Sequence, residues 1–205
     1  MALSTIGAFW AVSVLFVLTP GADWAYAMAA GLRHRTVMPS VGGLLVGHVV
    51  ATVAVAAGVA AVVARSSVVL TALTAAGAAY LLWLGVNTLI HPSTPTVGTG
   101  PDTSSVLRQF ASGAATSTLN PKVFLLFLAL LPQFTDTGGR WPVAVQIMVL
   151  GVVHVLTCAA VYSVVGTGAK TVLGARPSLA RSVSRLAGVA MVAIGILLVL
   201  ERVIA

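Results

Sequence analysis

Charge is scarce in this chain. Only 7% of its 205 residues are Asp, Glu, Lys or Arg, with four acids among them, whereas 59% are hydrophobic. A water-soluble domain carries about 25% charged residues, so this chain lacks the polar groups that would cover a surface facing water. The mean hydropathy of +1.05 points the same way. Most of the surface must therefore face lipid.

Cysteine and enzyme motifs are scarce too. Cys158 is the single cysteine, which excludes an intrachain disulfide, a CxxC redox pair and a thiolate-rich metal cage. The sequence contains no HExxH motif, no Gly-rich phosphate loop and no recognisable Ser/His/Asp set, so we predict that it is not an enzyme and needs neither cofactor nor resident metal. Its net charge of +7 lies mostly in short connectors between apolar runs. That placement is typical of membrane topology signals and not of nucleic-acid binding.

Six apolar runs occupy most of the chain, each long enough to cross roughly 30 Å of hydrocarbon. They lie at about 3–31, 38–64, 67–90, 107–132, 142–169 and 184–204. A stretch rich in Pro, Gly, Ser and Thr at about 92–106 is typical of a flexible linker. We therefore predict an all-α single transmembrane domain over 1–205, with repeat one at about 1–91 and repeat two at about 107–205.

Lys and Arg residues are divided unevenly between the two sides of such a six-span chain. Seven lie in the first, third and fifth connectors, and three lie on the side of the termini and the other connectors. Basic residues concentrate on the cytoplasmic side of membrane proteins. We therefore predict a multi-pass protein of the cytoplasmic (inner) membrane with both termini outside.

Two proline motifs interrupt the first and fourth spans near their middles, namely Thr19-Pro20-Gly21 and Asn120-Pro121-Lys122. A proline inside a helix costs about 3 kcal/mol, and in lipid the freed backbone groups need protein or a wet cavity as partners. In both motifs the order is that of a new helix, with Thr or Asn as the N-cap and Pro as the first helical residue. The sequence thus predicts two half-helices whose positive N-terminal ends meet near the midplane and favour a carboxylate.

The position of the two breaks also predicts an inverted repeat. Each half of the chain has three spans, so the second half enters the membrane from the opposite face. Two glycines, Gly43 and Gly47, form a GxxxG pattern that permits close helix approach, either inside the molecule or between two copies.

Ionisable residues inside spans are costly and usually functional. We predict that Asp23 and Lys122 approach each other and form an ion pair in one state, and that breaking the pair lets Asp23 take a proton. The alternative is that Asp23 stays ionised in the first turn of a half-helix. The candidate substrate-binding residues are Thr19, Pro20, Gly21, Asn120, Pro121 and Lys122; Asp23 is the candidate for proton coupling, and His48 and His154 are candidate relays. A lone buried histidine is, however, more often a packing residue.

These motifs resemble those of the LysE/RhtB family of amino-acid exporters. The resemblance rests on Thr19-Pro20-Gly21-Ala22-Asp23, Gly31-Leu32-Arg33-His34, Tyr80-Leu81 with Leu84-Gly85, and Leu119-Asn120-Pro121-Lys122 followed by Leu131-Pro132-Gln133-Phe134. It implies a six-helix, dimeric inner-membrane exporter driven by the proton gradient, with the two motif centres at its site. The chain departs from the family pattern at Ala22, where a second proline is usual, and at Arg35, where glycine is frequent.

Two kinds of cargo remain open at this point. Asp23 is the only acid well inside a span, which favours neutral amino acids or their derivatives over cationic ones. The alternative is a heavy-metal cation exporter of related architecture, which would need soft or multiple ligands, and the sequence offers one cysteine with scattered histidines. A thiol–disulfide electron carrier would need at least two cysteines.

Overall fold

The chain folds into helices over the part that can be described. The computed structural model describes residues 1–63, 85–91 and 105–169 continuously, with individual positions between 75 and 83 and between 182 and 200. No strand occurs among these residues, so the all-α prediction is confirmed for them. The helices are α1 (Leu3–Leu18), α2 (Ala22–Arg33), α3 (Met38–Val63), α4 (Val106–Thr118), α5 (Pro121–Leu130) and α6 (Val143–Gly168), with a 3-10 turn at Leu131–Phe134. Residues 85–90 are helical as well.

Several helices are long and apolar enough to cross a membrane. Met38–Gly58 within α3 and Val143–Gly168 in α6 qualify alone, and α1 with α2 qualifies as one span bent by 61°. The predicted linker lies outside the described residues up to position 104, as does much of the third and sixth predicted spans. The total of six spans therefore stays a prediction.

The first break is present, but its caps differ from the prediction. Thr19 closes α1 and does not open α2, because its hydroxyl donates to the carbonyl oxygen of Leu15 at 3.0 Å. Gly21 is the N-cap of α2, which begins at Ala22. The assignment of Thr19 as N-cap and Pro20 as first helical residue was wrong. Thr19 and Asn120 both precede a proline and are both extended, so the two breaks differ at the residue after the proline. Gly21, a poor helix former, is extended as well, whereas Lys122 already lies in α5.

The second break follows the predicted order. Asn120 is the N-cap of α5, and its side-chain oxygen accepts a hydrogen bond from the Lys122 N–H at 3.1 Å. Pro121 occupies the first helical position, where its missing N–H costs nothing. The new helix is thus stabilised locally by the residues that interrupt the old one.

Close helix packing holds α3 against α4. A Cβ added to Gly43 would collide with the carbonyl oxygen of Phe110, and one added to Gly47 would lie 2.8 Å from the backbone nitrogen of Thr118. The GxxxG pattern therefore permits close helix approach inside the molecule, which is one of the two alternatives predicted from the sequence.

Two buried apolar clusters flank the bends. One contains Phe9, Phe127 and Ile147, and the other contains Trp24 and Leu44. Residues of both clusters line one cavity at the breaks, together with polar side chains. The apolar packing thus positions the ends of α2 and α5 around that cavity.

Candidate functional site: a polar cavity between two half-helices

The two proline motifs lie against each other although about 100 residues separate them. The Lys122 ammonium donates to the backbone oxygen of Thr19 at 3.2 Å. The Asn120 amide donates to Asp23 Oδ1 at 3.3 Å. Each motif therefore supplies polar groups to the other, and the freed backbone oxygen at Thr19 has a partner, as an apolar environment requires.

Asp23 is the most heavily bonded side chain of the site. It is 4% exposed. Its Oδ2 lies 3.1 Å from His48 Nε2 and accepts a hydrogen bond from the Tyr162 hydroxyl at 3.2 Å. With Asn120 on Oδ1, three side chains satisfy this one carboxylate. A buried carboxylate is tolerated only with such partners.

The predicted ion pair between Asp23 and Lys122 is absent from this conformation. Among the described residues, the ionic contact of Asp23 within 4.0 Å is to His48. The reason is that the Lys122 ammonium reaches the Thr19 carbonyl oxygen while α3 brings His48 onto the carboxylate. The pair was predicted for one state of a cycle, and this state has another partner.

The two candidate relay histidines are neighbours. The ring centroids of His48 on α3 and His154 on α6 lie 5.1 Å apart. His154 Nδ1 lies 2.8 Å from the Ser13 hydroxyl oxygen of α1. A buried row of polar side chains thus runs from Asp23 through His48 and His154 to Ser13 and connects four helices.

A small cavity gathers most of the predicted residues. Its volume is about 30 Å³, which is room for two or three waters at roughly 10–15 Å³ each. Seven of the nine predicted site residues line it, namely Thr19, Gly21, Asp23, His48, Asn120, Lys122 and His154. The other two, Pro20 and Pro121, act on the backbone at the breaks.

Sequence reasoning missed Tyr162 and Cys158. Both lie on α6 and are buried with His154. The spacing 154, 158, 162 places all three on one helix face, since residues four apart on a helix are neighbours. That polar stripe within an apolar run indicates their shared orientation, although no sequence pattern indicates that α3 covers it.

Two of the histidines that are scattered along the sequence lie together in the structure. His48, His154 and Cys158 bring one ligand atom each to within 4.8 Å of the others. The reason is tertiary, because α3 and α6 pack side by side and bring residues about 110 positions apart together. Two imidazoles and a thiol are a donor set that suits soft or borderline metal ions.

Comparison with known proteins identifies the family. The family model described as LysE type translocator matches residues 14–202. The chain belongs to the LysE type translocator family. The predicted resemblance is therefore confirmed over nearly the whole length.

Relatives of this translocator include proteins named for efflux. A homoserine/homoserine lactone efflux protein of Salmonella typhi is 30% identical over 151 residues, which are 73% of this chain and 72% of the relative. A leucine efflux protein of Klebsiella pneumoniae is 26% identical over 133 residues, 63% of each chain. An uncharacterized membrane protein of Vibrio cholerae is 32% identical over 151 residues, 72% of each. No solved structure matches the translocator significantly. The family and these names indicate a membrane transporter and not an enzyme.

Proposed function

We propose that this translocator exports neutral amino acids or their close derivatives across the cytoplasmic membrane, driven by the proton gradient. The observation that carries the proposal is the presence of one ammonium and one carboxylate, Lys122 and Asp23, on a single cavity at the ends of two half-helices. An amino acid carries the complementary pair of charges. Its carboxylate suits Lys122 and the N-terminal end of α5, and its ammonium suits Asp23.

The efflux proteins among the relatives support this choice of cargo. Their names specify homoserine, its lactone and leucine, none of which has a cationic side chain. A site with a single carboxylate has no second acid to hold a cationic side chain. Neutral substrates are therefore the class that we assign to this protein.

An inverted pair of three-span repeats is the architecture we propose. Corresponding spans should then contact each other, and the two breaks are joined by the hydrogen bonds of Asn120 and Lys122 described above. In the second and fifth spans, His48 lies beside Cys158 and Thr52 lies against Gly151. Residue numbers rise along one helix as they fall along the other, so α3 and α6 run antiparallel, as inversion requires.

The described positions of the third and sixth predicted spans follow the same rule. A Cβ on Gly85 would lie 2.9 Å from the carbonyl oxygen of Gly188, and one on Gly195 would lie 2.8 Å from Leu82 Cγ. These contacts are also antiparallel. Three pairs of equivalent spans thus meet in opposite directions, which supports two repeats of opposite orientation.

The size of the cavity indicates that transport needs movement. A volume of about 30 Å³ holds a few waters but no amino acid. The two half-helices must therefore separate on one side to admit substrate and on the other to release it, the alternating access of transporters with broken helices.

Asp23 is the group that we propose couples export to protons. It lines the cavity and has partners from α3, α5 and α6, so a change of conformation that separates these helices removes those partners. A buried carboxylate without partners is costly, and taking up a proton relieves that cost. Each proton entering contributes about 2.3 kcal/mol per 100 mV of membrane potential.

Replacing Asp23 by Asn should abolish export driven by a pH gradient, since the amide keeps the shape of the side chain but cannot carry the proton. Proteoliposomes with an imposed pH gradient and labelled amino acid measure this directly. The matched control is Asp136→Asn, which changes an exposed acid outside the cavity. Normal gradient-driven export by D23N would contradict the coupling.

The substrate is identified by feeding cells that express the protein a panel of dipeptides and measuring which amino acid they expel. Homoserine and leucine belong in that panel with lysine as the cationic comparison. A parallel panel of metal salts tests the heavy-metal alternative. Expulsion of lysine alone, or of metal alone, would contradict the proposed cargo.

The homodimer that the family resemblance implies stays a prediction, checked by the mass of the purified protein in nanodiscs.

A further inference from the structure

We propose that His48, His154 and Cys158 bind one zinc-like metal ion and that the bound ion stops export. The three ligand atoms lie within 4.8 Å of one another, and all three residues are buried. They come from two helices, α3 and α6, and meet beside the transport cavity. The binding half of this inference is independent of the proposed function, and the inhibition half rests on it.

The spacing of two of the ligands already fits a metal ion. His48 Nε2 lies 3.7 Å from Cys158 Sγ. Zinc bonds of about 2.0–2.1 Å to nitrogen and 2.3 Å to sulfur at a tetrahedral angle separate two such atoms by about 3.6 Å. The third ligand, His154, needs a closure of at most about 1.4 Å, because the three ligand atoms lie within 4.8 Å of one another and two nitrogens on one zinc lie roughly 3.4 Å apart.

His154 is also held as metal-binding histidines usually are. Its Nδ1 lies 2.8 Å from the Ser13 hydroxyl oxygen, which leaves Nε2 as the ligand atom. Metal-bound histidines generally use one ring nitrogen for the metal and the other for an outer partner that fixes the ring. The cluster therefore has such a partner in place.

Charge balance selects the class of ion. A buried divalent ion needs negative charge close to it. The Cys158 thiolate supplies one such charge as a direct ligand, and Asp23, whose Oδ2 lies 3.1 Å from His48 Nε2, supplies a second beside it, on the cavity that Lys122 also lines. A thiolate with imidazoles favours zinc-like ions over magnesium or calcium, which prefer oxygen ligands.

Binding at this place should prevent transport for a geometric reason. A metal on His48 Nε2 occupies the atom that now faces Asp23. It also joins α3 to α6 next to a cavity that must open for the amino acid to pass. The metal thus removes the contact of His48 with Asp23 and holds α3 against α6, and transport needs both the carboxylate and movement of these helices.

The binding half is tested with purified wild-type protein in nanodiscs, using Co²⁺ as the probe and Zn²⁺ as the competitor. We expect a thiolate-to-cobalt charge-transfer absorption that saturates at one equivalent and disappears on adding zinc. Cys158 is the only cysteine in the chain, so such a band has to come from it. Cys158→Ser should lack the band. It should also lose more zinc affinity than the roughly 10–100-fold that follows the loss of an outer hydrogen-bond partner, because it loses a direct ligand.

Two further variants keep the binding test decisive. His91→Gln removes an exposed histidine away from the cluster and should retain the band. His154→Gln should weaken zinc binding at least tenfold, and it serves if Cys158→Ser does not fold. A wild-type protein without a cobalt–thiolate band would overturn the proposal.

The inhibition half is tested by export from proteoliposomes with and without zinc, each variant being compared with itself. Zinc should lower wild-type export at least tenfold and leave the rate of Cys158→Ser unchanged within error. Equal inhibition of both, or transport of zinc itself across the vesicle membrane, would contradict the proposal. If no amino acid is exported at all, the proposed function fails while the cobalt measurement still decides on the metal site.

Discussion

At the scale of single residues, the site is organised around a carboxylate with three partners. Two of these, His48 and Asn120, belong to the predicted set, and the third, Tyr162, does not. All three contact Asp23 at 3.1–3.3 Å. The environment of Asp23 therefore depends on three helices at once, so a movement of any of them changes the hydrogen bonds of this carboxylate.

Replacing Tyr162 by Phe removes one hydrogen bond to Asp23 and keeps the ring. A bond to a charged group contributes about 1.5–3 kcal/mol, so gradient-driven export should fall by about tenfold or more without being abolished, because His48 and Asn120 remain. Initial rates in proteoliposomes at equal protein measure the change.

Tyr26→Phe is the matched control for that variant. The Tyr26 hydroxyl donates to the backbone oxygen of Gln109 at 2.6 Å, and Tyr26 does not line the cavity at the two breaks. The control also loses one tyrosine hydroxyl bond, to a neutral carbonyl oxygen and not to a carboxylate, and its export should stay near the wild-type rate. Equal rates for both variants would show that the Tyr162 bond to Asp23 has no part in transport.

At the scale of the helices, glycines decide how closely the elements approach. Gly47 of α3 faces α4 so tightly that a Cβ there would lie 2.5 Å from Ser117 Cβ and 2.8 Å from the Thr118 nitrogen. On the same helix, a Cβ at Gly58 would meet no atom within 4 Å. The two glycines therefore have different roles although both are helical.

Replacing Gly47 by Ala should lower the unfolding temperature, since inserting a methyl group into a tight contact costs about 1–3 kcal/mol and here the neighbour includes backbone. Gly58→Ala is the control and should be neutral or stabilising, because alanine is about 1 kcal/mol better than glycine within a helix. Thermal unfolding of the purified proteins in detergent compares them. An equal effect of both substitutions would show that the α3–α4 contact is not the cause.

At the scale of the whole molecule, the proposed inversion of the repeats predicts on which face of the membrane each connector lies. The connector between α2 and α3 and the connector between α5 and α6 should lie on opposite sides. Thr36 and Thr137 are exposed residues in these connectors. The distribution of basic residues predicts that the first connector lies inside the cell and the second outside.

A cysteine introduced at one of these two positions tests the topology through its reaction with a maleimide that cannot cross membranes. Thr137→Cys should react in intact cells, and Thr36→Cys should react only after the cells are permeabilised. The wild-type chain is the unlabelled control, because its one cysteine, Cys158, is 0% exposed. Labelling of both variants in intact cells would rule out the inverted arrangement, and labelling of Thr36→Cys alone would reverse the orientation.

Sequence alone determined the solvent, the family and the location of the breaks. Scarce charge requires lipid around the protein, and a proline with a capping residue interrupts a helix through local backbone chemistry. The second break formed as predicted at Asn120 and Pro121. The first was off by two residues, because Gly21, a poor helix former, stays extended and caps α2 itself, while the Thr19 hydroxyl bonds back to the Leu15 carbonyl oxygen of α1.

Only the tertiary structure decided which side chains of different helices contact each other. Nothing in the sequence placed His48 rather than Lys122 on Asp23, or brought Cys158 to 3.7 Å from His48. These contacts depend on which faces of α2, α3 and α6 are turned toward each other. A helix that is apolar nearly all around leaves its rotation undetermined by periodicity, and only the packing of its small residues against neighbouring helices fixes it.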